Sequence, residues 1–146
     1  MQSISWPVLS LQKFIFSFNP MFYLPFRISE TTHASRGHIF ETWVVSEILK
    51  GRLNMGLKEN IYFWRDNTGH EIDCIVDQGD FLIPIEIKSG KTVSQDFFKG
   101  LRFWSKISGT DGNHMYVVYA GSTDQTRKEG NVLCWKSFGN RIPLEM

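Results

Sequence analysis

Cysteine is scarce in this chain: only Cys74 and Cys134 occur in 146 residues, well separated in sequence. Such usage argues against a disulfide-stapled scaffold or a cysteine-rich zinc module, and points to reduced thiols in a cytoplasmic protein. Long apolar runs are missing too. No stretch approaches the roughly 18–20 residues that span a bilayer, so no membrane partner is expected. The start lacks a basic patch followed by a clean apolar run, and Pro7, Pro20 and Pro25 interrupt it, so no signal peptide is read there. Neither sign of charge dominates: 16 Lys and Arg against 15 Asp and Glu leave +1, so a nucleic-acid surface would have to be local. There is no P-loop, glycine-rich dinucleotide fingerprint or nucleophile elbow. His38, His70 and His114 flank elements without metal-ligand spacing, and no catalytic role is assigned to them.

The residues present are those of a folded domain: 42% hydrophobic and 14% aromatic, in a chain long enough to bury a core. Residues 61–89 dominate the pattern. They read as three short strands separated by turns at Asp66-Asn67-Thr68-Gly69 and Gln78-Gly79-Asp80. With Gly79-Asp80 as a two-residue loop, Gln78 faces Phe81, Val76 faces Ile83, Cys74 faces Ile85 and Ile72 faces Ile87, which makes one apolar face. On the other face Asp73 lies opposite Glu86, and Glu71 opposite Lys88. Directly opposed side chains have Cβ atoms roughly 4.5–5.5 Å apart, where two carboxylates repel unless a cation or proton lies between them. The charged face is either a solvated strand surface or a site. The apolar run Phe81-Leu82-Ile83-Pro84-Ile85-Glu86-Ile87 favours the site, because it predicts a strand covered on both faces.

Elsewhere, residues 1–35 form a poorly defined segment, with an aromatic-rich, proline-broken run from Lys13 to Phe26, one strand at about 13–18 and a polar loop over 29–36. A helix is predicted over 37–50, ended by Gly51. Glu41 lies beside Val44, Val45 and Ile48 on its apolar side, either as a site carboxylate or as an anion favoured by the helix N-terminus. A second helix is predicted over 94–108, with Phe97, Phe98, Leu101, Trp104 and Ile107 buried. On that helix Lys99, Arg102 and Lys106 align, and with Lys91 they would suit phosphates, although a basic helix face is also simply solvated. A strand at 115–120, a polar loop over 121–130 and a strand near 131–135 complete the α/β pattern: a central mixed sheet flanked by helices.

The order of Glu41 on a helix, Asp73 on a strand, then Glu86-Ile87-Lys88, helix and strand resembles the core of the PD-(D/E)XK nuclease superfamily, the restriction-endonuclease-like fold. More narrowly, Phe40-Glu41-x-x-Val44-Val45-x-Glu47-Ile48-Leu49, Tyr62-Phe63-Trp64-Arg65 with Gly69-x-Glu71-Ile72-Asp73, and Ile83-Pro84-Ile85-Glu86-Ile87-Lys88-Ser89 resemble the C-terminal domain of many prokaryotic AAA+ ATPases. The resemblance covers roughly residues 37–120, and places a nuclease-like domain over 36–146. The ATPase module and winged-helix segment of those proteins have no counterpart here, and Ile72 stands where the superfamily has proline. The resemblance implies Mg2+ or Mn2+ held by Asp73, Glu86 and Glu41, with the Ile87 carbonyl as a further ligand. It also implies Lys88 acting on the attacking water or the transition state, and Glu71 and Ser89 supporting the site. Three readings follow from it. One is a metal-dependent DNA endonuclease. Another is a non-catalytic nucleic-acid- or protein-binding module partnered with an AAA+ ATPase. The last is a remnant that keeps only the fold.

Overall fold

A computed structural model of the chain describes residues 12–13 and 33–144. Among these residues a seven-stranded mixed sheet runs in the order β1-β2-β3-β4-β5-β7-β6. The strands are β1 (Gln12–Lys13), β2 (Ile61–Arg65), β3 (Glu71–Asp77), β4 (Leu82–Lys88), β5 (Tyr116–Tyr119), β6 (Gln125–Arg127) and β7 (Gly130–Cys134). Strands β1 to β4 pair antiparallel, β4, β5 and β7 run parallel, and β6 returns antiparallel along β7. Joining parallel strands requires a crossover. Between β4 and β5 that crossover is a short 3-10 turn, Gln95–Phe98, leading into α2 (Lys99–Ser108).

The two helices cover opposite faces of the sheet. From α1 (His33–Asn54), Val44, Val45 and Ile48 pack with Cys74, Val76, Ile83, Ile85 and Ile87. From the crossover and α2, Phe98, Leu101 and Trp104 pack with Trp64, Ile72, Ile75, Val117 and Val132 on the other side. Strand β4 is therefore buried from Ile83 to Ile87 on both faces, as its unbroken apolar run predicts. No helix among the described residues is long and apolar enough to cross a membrane.

Several boundaries differ from expectation. Helix α1 starts at His33, inside the stretch read as a loop, and runs to Asn54. Gly51 is interior to it, where an added Cβ would meet Leu144 Cδ1 at 3.4 Å. The stop comes at Gly56, with φ of +74°, where Leu57 N–H reaches the Arg52 carbonyl and Gly56 N–H reaches that of Leu53, both at 3.0 Å. Strand β6 lies in the segment read as a polar loop, on the sheet edge. The strand expected at about 13–18 is represented by Gln12–Lys13 pairing with β2, and its remainder lies outside the described residues.

The hairpin register is as predicted for Cys74 with Ile85 and Val76 with Ile83, and Gln78 N–H donates to the Phe81 carbonyl at 3.0 Å. Beyond Cys74 the expected continuous apolar face breaks. Between Tyr62↔Ile75 and Trp64↔Ile72, Phe63 alone on β2 faces both Asp73 and Cys74 on β3. This β-bulge inverts the alternation, so Ile72 turns to the α2 side with Ile75 while Ile87 stays on the α1 side.

Candidate active site

The bulge places Asp73 at the point where the β3–β4 pairing ends. The register stops at Cys74 opposite Ile85, and the Ile87 N–H on β4 donates to Asp73 Oδ2 at 2.7 Å. Lys88 Nζ donates to the same oxygen at 3.1 Å and makes an ion pair with Glu86 Oε2. Asp73, Glu86 and Lys88, three residues singled out in the sequence, thus converge on one ammonium group.

Glu86 is only 3% exposed, the most enclosed carboxylate of the described residues. It is covered by the first turn of α2, where Gly100 carries no side chain. A Cβ built there would fall 1.9 Å from Glu86 Oε1 and 2.6 Å from the Glu71 carbonyl oxygen. Beside this contact opens a cleft of about 190 Å3, lined by Glu86, Lys88, His70, Glu71 and Lys99 among others.

Burial, followed by the neighbouring Asp73 carboxylate, pushes the Glu86 carboxyl from its ordinary 4.5 up to about 8, against the pull of Lys88. Burial works against the charge on Lys88, but Glu86 and Asp73 outweigh it and hold the ammonium above its ordinary range. Glu41, half-buried on α1, is raised by burial and then by Asp73, while His38 at 3.7 Å draws it down. The carboxyl of Glu41 therefore senses Asp73 and Lys88 from the α1 side. Buried Cys74, next to Asp73, has its thiol pushed up by burial and stays protonated.

The remaining candidates are dispersed. Glu71 is exposed and lies 3.9 Å from Arg65. Ser89 Oγ lies 3.9 Å from the place a Gly37 side chain would occupy, so the start of α1 passes over the end of β4. Lys99 borders the carboxylate cleft and Lys106 is exposed. Arg102 folds back on Gln95, donating to its side-chain oxygen at 3.3 Å and its backbone carbonyl at 3.1 Å. Lys91 lines a separate groove. Among the described residues no three His, Cys, Asp or Glu side chains converge as a metal-ligand set. The donor chemistry nevertheless fits a hard cation: the oxygens of two carboxyl groups already share one ammonium.

Two residues that line the cleft were given no role in the sequence. Gly100 sits inside an amphipathic helix, and a glycine at such a place signals a close approach. His70 stacks flat on Phe103, with ring centroids 3.7 Å apart, and its Nδ1 contacts Asp66 Oδ2 at 3.0 Å.

Residues 36–138 match the family described as Domain of unknown function (DUF4143), and the chain belongs to that family. No curated protein and no solved structure matches it significantly.

Proposed function

We propose that this DUF4143 domain is a metal-dependent nuclease of the PD-(D/E)XK kind that hydrolyses phosphodiester bonds in DNA. The observation that carries the reading is the convergence of Asp73 and Glu86 on Lys88 Nζ, with Glu86 sealed beneath Gly100. Burying a carboxylate against a second one is costly unless a cation compensates, and perturbed groups in a cleft are the mark of a working site. Asp73 and Glu86 would hold Mg2+ or Mn2+, with Glu41 and the Ile87 carbonyl as further oxygen donors. When bound, such an ion neutralises charge on the phosphate and makes water a better acid. The protein's own groups do the rest. Glu86 would release its proton to solvent for an ion to bind, and Asp73 is held in orientation by the Ile87 N–H. Lys88, released from the carboxylates, donates to the phosphate as charge develops. Lys99, at the rim of the cleft, holds a neighbouring phosphate.

A second reading, a non-catalytic nucleic-acid- or protein-binding module of an AAA+ ATPase system, is favoured by a different observation. Lys88 already satisfies both carboxylates, and among the described residues no third ligand converges on them. The deciding experiment incubates the protein with Mg2+ or Mn2+ and duplex, single-stranded or branched DNA, beside calorimetric titration of each ion. Cleavage that disappears in Asp73→Asn and Glu86→Gln supports the nuclease. A parent protein that neither binds the ions nor cuts any substrate leaves the binding module.

A further inference from the structure

The parallel strands end in one row. Lys88 on β4 is in register with Tyr119 on β5, and Tyr119 with Cys134 on β7. Hydrogen bonds carry the row one step further: Ala120 N–H donates to the Lys88 carbonyl at 3.1 Å, and Trp135 N–H to that of Tyr119 at 3.0 Å. Neighbouring strands lie about 5 Å apart, so the Trp135 end of the row is about 10 Å across the sheet from Lys88. Carboxyl ends of parallel strands are where open α/β sheets take their ligands.

A groove of about 630 Å3 follows this row, bordered by Lys91, Gly121, Ser122, Trp135 and Lys136. Its floor is fixed. The Tyr119 hydroxyl donates to the Thr123 carbonyl at 2.7 Å and accepts the Thr123 N–H at 3.2 Å. A Cβ at Gly121 would fall 2.1 Å from Tyr119 Cε2 and 2.7 Å from the Lys91 carbonyl oxygen. Acids and bases nearly balance over the whole chain, 15 against 16, yet this groove has two lysines and no carboxylate in its lining. Trp135 is 39% exposed, an uncommon placement for so large an apolar ring. Trp43 braces it in a T-shaped contact with centroids 5.8 Å apart. Lys136 Nζ lies over its ring, 5.2 Å from the centroid, a cation that an incoming base on that face would displace towards its own phosphate.

We propose that this groove is a binding site for single-stranded nucleic acid, with an unpaired base stacked on Trp135 and the flanking phosphates on Lys91 and Lys136. A rigid groove with cations beside an aromatic platform is how single strands are bound without sequence readout, and a paired base cannot reach such a ring. A strand seated there continues along the row toward Lys88. That link to cleavage rests on the nuclease reading, whereas the binding does not.

The test is fluorescence anisotropy of a labelled oligothymidylate with the full chain in metal-free buffer, over a range of salt. An equal-length duplex and inorganic phosphate serve as competitors. The oligothymidylate should bind more tightly than the duplex, and phosphate should compete only weakly. Trp135→Ala should weaken binding about tenfold or more, while Trp135→Phe keeps most of it. Lys91→Ala with Lys136→Ala should reduce the salt slope by about 1.4, the value for two single-strand phosphate contacts. Equal affinity in Trp135→Ala and the parent, preference for duplex, or competition by phosphate alone overturns the site. Should Trp135→Ala fail to fold, the lysine pair decides, and an unchanged salt slope overturns the proposal. A parent that binds the single strand but cuts neither it nor duplex or branched DNA with Mg2+ or Mn2+ removes the nuclease reading and leaves this site standing.

Discussion

Gly100 lies directly over Glu86: a methyl group at that Cα would fall 1.9 Å from Oε1. The absence of one side chain lets α2 close on a buried carboxylate. Gly100→Ala should therefore destabilise the protein by about 1–3 kcal/mol through overpacking, even though alanine is the better helix former by about 1 kcal/mol. Urea denaturation measures this. In a Glu86→Ala background the cost should shrink without vanishing, because the Glu71 carbonyl oxygen remains 2.6 Å away. Equal costs in both backgrounds would place the strain elsewhere.

Stability of the metal-free protein should fall from mildly acid to alkaline pH. In the unfolded chain Glu86 ionises near its ordinary 4.5, while in the fold it keeps its proton up to about 8. Its contribution is fully present below the lower value and is lost as pH rises through the upper one. Lys88 is also raised, but its contribution changes only above its own ordinary 10.5, outside this window. Denaturation midpoints at about pH 5 and about pH 9 should differ in that direction, and Glu86→Gln should flatten the difference. Affinity for Mg2+ should run the opposite way, tightening with pH, because the ion needs the ionised carboxylate.

Lys88 separates turnover from binding. Lys88→Ala leaves both carboxyl groups in place and removes the donor that the proposed mechanism assigns to the phosphate. In a nuclease, cleavage should drop by about 10²–10³, the usual loss of one such electrostatic group. DNA affinity should change little, since a single phosphate contact among several is lost. A variant that cuts at the parental rate would take Lys88 out of the chemistry.

Arg52 is the principal tie at the opposite end of the sheet. It is 2% exposed, and donates to the Lys58 carbonyl at 2.9 Å and to Gln78 Oε1 and the Leu144 carbonyl at 3.2 Å each. Arg52→Met keeps the apolar stem but leaves buried acceptors unpaired, so a loss of about 1–3 kcal/mol is expected. Limited proteolysis near the C-terminus should then be faster than in the parent, because the Leu144 carbonyl loses its Arg52 donor and only the Gln78 bond to the Pro143 carbonyl and the buried Leu144 side chain hold the segment. Metal affinity, if the proposed site at the other end of β4 binds an ion, should be unchanged.

The legible parts of the fold were local ones. Gly79, with φ of +87°, sets the hairpin loop, and the loop sets the register as far as Cys74 opposite Ile85; beyond it Asp73 and Glu86 meet at Lys88 Nζ and not as a paired rung. The cover over Glu86 was readable from the apolar run around it, although the cover itself, Gly100, comes from another element. The bulge was not readable. It belongs to the pairing of β2 with β3, and nothing in Phe63 or Asp73 alone tells that one residue faces two. Gly51 misled because a glycine near a helix end and a glycine packed against Leu144 look the same in sequence. β6 was missed because Gln125-Thr126-Arg127, on a sheet edge, has no apolar face to show.

Burial of β4 on both faces has a further consequence for how the site is lost. Residues 83–87 lie in the middle of the sheet, between both helices and away from either edge. The amide protons of Ile83, Ile85, Glu86 and Ile87 should exchange with solvent only through complete unfolding, not through fraying or local breathing. Glu86 therefore cannot relieve its crowding by a partial opening. The site should keep its geometry on heating until the whole domain melts, and then disappear in the same transition.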